Sequence, residues 1–85
     1  MDEATLRTEL TALLAGYRQQ QPEFPEVSIA SRGMRHEGNW WYVPVVNLGP
    51  PSDRVYPYYD HLNAVEALVK RRLDIDVLFV PARAA

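Results

Sequence analysis

The sequence predicts an α+β fold: a single small domain in α-β-β-α-β order, with a three-stranded mixed sheet and two helices. Two stretches place apolar residues at helical spacing, and strand-like runs lie between and after them. Proline and glycine clusters punctuate the junctions.

The first helix spans residues 1–21. Leu6, Leu10, Leu13, Leu14 and Tyr17 recur at helical spacing, while Arg7, Glu9 and Arg18 fall mostly elsewhere on the wheel. Asp2 is placed to cap it, and the residues before Pro22 end it, because a residue preceding proline avoids the α region.

Residues 26–48 read as a β-hairpin. In its first arm, over Val27 to Arg32, Val27 and Ile29 alternate with Ser28 and Ala30. Glu37-Gly38-Asn39 supplies a turn, expected to be longer than two residues, before the second arm WWYVPVVNL. The run Gly49-Pro50-Pro51-Ser52-Asp53 stops that arm.

The second helix spans 57–73, with Pro57 in its first turn and Tyr58, Leu62, Val65, Leu68, Val69 and Leu73 forming an apolar stripe. Lys70, Arg71 and Arg72 sit at its C-terminal end, where cations suit the helix dipole. The last strand spans 75–80 and ends at Pro81. Pro44, lacking an N–H, makes the second strand either an edge, in order 2-1-3, or a bulged centre, in order 1-2-3.

With 85 residues, 47% hydrophobic and 24% charged, the chain has the composition of a folded globular domain. A domain of this size buries only about 60 to 65% of its unfolded surface, so added buried area would reinforce it. Without cysteine, that reinforcement cannot be a disulfide, and a reducing, cytoplasmic location is expected. The net charge of −2 gives no general attraction to phosphate backbones or anionic membranes. No apolar run exceeds four residues, against about 20 needed to span a bilayer, so no membrane role is expected.

Alternation places Trp40, Tyr42, Val46 and Leu48 on one face of the long strand and Trp41, Val43 and Val45 on the other, so both faces are apolar. Either the helices straddle the sheet, or they share one face and leave the opposite one bare. A bare apolar face marks a partner site. The expected function is therefore a noncatalytic protein-interaction module, homodimeric or an accessory to another protein. Its expected contacts are Trp41, Val43, Val45, Tyr56, Tyr59 and Arg35.

The alternative is a nucleic-acid or small-ligand binder using tyrosine and tryptophan with the basic tips Arg32, Arg35, Lys70, Arg71 and Arg72. The element order resembles that of KH-like and BolA-like domains in topology alone, since the chain has no G-x-x-G loop. Asp74 and Asp76 form a pair of the kind that binds Mg²⁺, but no third acid stands at useful spacing. His36 and His61 belong to no spaced metal-binding pair, and no serine sits in a nucleophile elbow. No catalytic residue, cofactor or metal is expected.

Overall fold

A computed structural model describes residues 2–49 and 55–82, with Val55, Tyr56 and Pro57 described by their backbone alone. The expected stop over 50–53 and the tail over 83–85 lie outside the described residues. The elements are α1 (Glu3–Gln20), β1 (Val27–Ile29), β2 (Arg35–Glu37), β3 (Trp40–Asn47), α2 (Val55–Leu73) and β4 (Asp76–Ala82).

Helix α1 starts where the Asp2 carboxylate accepts the Thr5 N–H at 2.7 Å, a bond that holds this carboxyl below its ordinary range. It buries Leu6, Leu10 and Leu14. After it, the Gln21 carbonyl accepts the Phe24 N–H at 2.9 Å, in a turn that delivers Phe24 fully into the core. Helix α2 ends at Asp74, whose φ of 55° is left-handed and whose N–H returns to the Lys70 carbonyl at 3.0 Å.

Strand β3 is central. β4 pairs with it in parallel from Trp40 to Val46, occupying one whole edge. β1 and β2 pair antiparallel with residues 45–47 and 40–42 of β3, so both lie on its other edge as two pieces of one interrupted arm. The sheet is thus mixed, with the long strand in the middle. Four strands replace the expected three because the first arm breaks between Ile29 and Arg35.

The break lies opposite Pro44. Ala30 donates its N–H to the Pro44 carbonyl at 2.9 Å, so the nitrogen of Pro44 also faces this arm and has no hydrogen to return. Arg7 of α1 fills that role, donating to the Ala30 carbonyl at 2.7 Å. The chain then detours through Gly33, at φ 98°, where an added Cβ would come within 3.4 Å of the Pro44 ring. Proline is compatible with a central strand here because its missing donor falls at the interruption.

Two other expectations are corrected. The hairpin turn is two residues, not longer: Glu37 pairs directly with Trp40, and Gly38, at φ 60°, supplies the positive φ such a turn requires. Arg35 and His36 accordingly belong to β2 rather than to the tip. Strand β4 also continues through Pro81 to Ala82. Phe79 donates its N–H outward, to Glu66 of α2, so Pro81, two residues on, also turns its nitrogen to the free edge and leaves the β3 ladder intact.

Both helices cover the same face of the sheet. One buried cluster joins Leu6, Leu10 and Leu14 of α1 and Leu62, Val65 and Val69 of α2 to the odd-numbered positions of β3 and β4. Arg7→Met, which keeps the stem and removes the guanidinium, should lower stability in urea unfolding by about 1–3 kcal/mol, the cost of an unpaired carbonyl. Most of that loss should disappear in a Pro44→Val background, where the strand regains its own N–H.

Candidate interaction surfaces

The uncovered face carries the even-numbered side chains of β3 and β4. Trp40, Leu78 and Val80 are 46%, 40% and 41% exposed, and half-buried Tyr42, Pro44 and Val46 lie among them. Tyr42 stands opposite Leu78, and Pro44 opposite Val80. Arg35 of β2 lies over the Tyr42 ring at 5.3 Å and pairs with Glu37 at 3.7 Å, giving this face a polar margin.

The expected contact residues divide accordingly. Trp41, Val43 and Val45 are buried beneath the helices, which corrects their assignment to the free face by one position along the strand. Trp41 is covered by His36 in a stacked pair, 4.3 Å between centroids. Arg35 is exposed on the bare face, and Tyr59 is exposed on α2, 5.9 Å from Tyr58. The side chain of Tyr56 lies outside the described residues.

The two sheet edges differ. On β4 the outward backbone positions are Val77, Phe79 and Pro81. The Glu66 carboxylate accepts the Phe79 N–H at 2.8 Å, and Pro81 has no N–H, so a pairing strand would meet one free donor. Burial pushes the Glu66 carboxyl above its ordinary range, and the Phe79 hydrogen bond opposes that shift.

The β1 edge is open. Glu26, Ser28 and Ala30 address β3, as the Leu48 N–H to Glu26 carbonyl bond of 2.7 Å shows, so Val27 and Ile29 turn their backbone groups outward. Between this edge and α1 runs a groove of about 730 Å³, lined by Leu14, Val27 and Ile29 and flanked by Arg7 and Arg18.

Beside the groove, Phe24 meets Tyr17, Tyr58 and His61 at centroid distances of 5.4, 6.2 and 5.4 Å. The Tyr17 hydroxyl lies 2.6 Å from His61 Nδ1, and His61 Nε2 lies 3.7 Å from Glu23. Burial, then the Glu23 charge, raises the Tyr17 hydroxyl above its ordinary range. The Tyr58 hydroxyl is buried with no partner among the described residues. Phe24 escaped the sequence reading because it lies in a loop between two prolines, where no periodicity marks it.

Asp74 and Asp76 both face Lys70, at 3.6 and 3.4 Å, and no metal-binding cluster exists among the described residues. No described helix is long and apolar enough to cross a membrane. Comparison with family models, curated proteins and solved structures finds no match to the chain.

Trp41→Arg puts a charge into the buried cluster and should cost more than about 3 kcal/mol, abolishing the folded circular-dichroism spectrum of so small a domain. Trp40→Arg, on the bare face, should leave the unfolding midpoint of the monomer within about 0.5 kcal/mol of the parent.

Proposed function

We propose that the protein is a noncatalytic binding module that self-associates through its uncovered sheet face. The observation that carries this reading is the one-sided helix layer, which leaves Trp40, Leu78 and Val80 exposed side by side with Tyr42, Pro44 and Val46. A contiguous apolar surface of this kind costs solubility unless something covers it. Small domains gain most from such cover, and closed homo-oligomers are the commonest form it takes.

The face, rather than an edge, is the surface through which two copies meet in this reading. Glu66 and Pro81 blunt the β4 edge, and β1 is only three residues long. Two such faces pack as aligned sheets do, about 10 Å apart with side chains interleaved. The absence of cysteine supports placing this dimer in the reducing cytoplasm. Nucleic-acid binding is the less favoured reading, because Lys70 and Arg35 already face carboxylates.

Light scattering across a hundredfold concentration range should give a dimer whose mass is unchanged by high salt, as apolar association requires. Val80→Glu should retain the fold and weaken association by about a hundredfold, the effect of about 3 kcal/mol from an unpaired charge in an interface. A strict monomer at high micromolar concentration would overturn the proposal.

A further inference from the structure

We infer that the groove between α1 and β1 is a second binding site, independent of the bare sheet face, which takes an extended acidic peptide as an added strand on β1. Three features of the site converge on that ligand. The edge offers the N–H and carbonyl groups of Val27 and Ile29, the four groups an incoming strand would use. On β4 Glu66 takes the Phe79 N–H and Pro81 offers none, whereas no side chain among the described residues caps the Val27 or Ile29 N–H. The Ile29 carbonyl receives only a long, 3.4 Å contact from its neighbour Ser28.

Helix α1 forms the groove's other wall. From Arg7 to Arg18 it rises about 16 Å, the length of about five residues of extended chain. Half-buried Val27 and Ile29 line the groove with Leu14 and give apolar surface to the inward-facing side chains of the guest. The groove's volume, about 730 Å³, falls within the range of ligand sites.

The charge of the guest follows from the arginines. Backbone carbonyls hold both, Arg7 on Ala30 at 2.7 Å and Arg18 on Phe24 at 3.3 Å, and neither pairs with a carboxylate among the described residues. A guanidinium has five donors, so each keeps most of its donors for a ligand while its direction is fixed. Glu26 is the one acid lining the groove, against two arginines. Carboxylates spaced along an extended peptide match this wall, and lysines do not.

The test is amide NMR of the full chain titrated with the blocked peptide Glu-Ser-Val-Ser-Glu, whose Glu, Val and Glu side chains share one face with the carboxylates about 14 Å apart, alongside the same peptide with lysine in place of glutamate. Binding should shift the Val27 and Ile29 amides and slow their hydrogen exchange by about tenfold or more, as new ladder bonds require. Arg18→Glu, an exposed change, should weaken binding about tenfold or more while the folded circular-dichroism spectrum is retained. Three results would overturn the site: no shift at Val27 and Ile29 up to about 2 mM peptide, shifts confined to Trp40, Leu78 and Val80, or equal affinity for the lysine peptide. None of these readouts depends on whether the chain is a monomer or a dimer.

Discussion

The parallel pairing of β3 with β4 is the constraint from which the rest of the molecule follows. Two adjacent parallel strands need a crossover, and right-handed chirality sends α2 over one particular face. Helix α1 packs beside α2 on that same face. The odd-numbered positions of β3 and β4 become core, and the even-numbered ones meet solvent. With two helices in the described chain, the second face has no layer of its own.

Pro44 sets the second condition. It removes a ladder donor from the one strand that must pair on both edges. The cost is met locally: the first arm breaks, Gly33 turns aside from the proline ring, and Arg7 supplies the missing N–H. The same arrangement shapes the groove, because it leaves β1 short, with a free edge, beside a helix wall whose arginines are already anchored. Edge protection is therefore asymmetric. Glu66 and Pro81 guard β4, and nothing comparable among the described residues guards β1.

Much of the fold was legible because it rests on local signals. The 3.6-residue period fixed both helices to within two residues, and alternation separated Trp40, Tyr42 and Val46 from Trp41, Val43 and Val45. Which of those faces the helices would choose was not legible, since both are apolar and the choice is made by long-range packing. The assignment of Trp41, Val43 and Val45 to the free surface failed for that reason. The interrupted first arm was hidden too, because Ala30 extends the alternation of Val27, Ser28 and Ile29 while the break is dictated by Pro44 in another strand. The groove depends on α1 meeting β1 in space, and its key groups are backbone atoms, which no residue pattern advertises.

Acrylamide quenching of single-tryptophan variants reads which face of the sheet is uncovered. With Trp41→Phe, the remaining Trp40 of the monomer should emit at long wavelength and quench several-fold more readily than the Trp41 that remains in Trp40→Phe. Trp40 should then become protected as concentration rises and the face is covered. A Trp41 more accessible than Trp40, or equal protection of both in the monomer, would contradict the one-sided architecture.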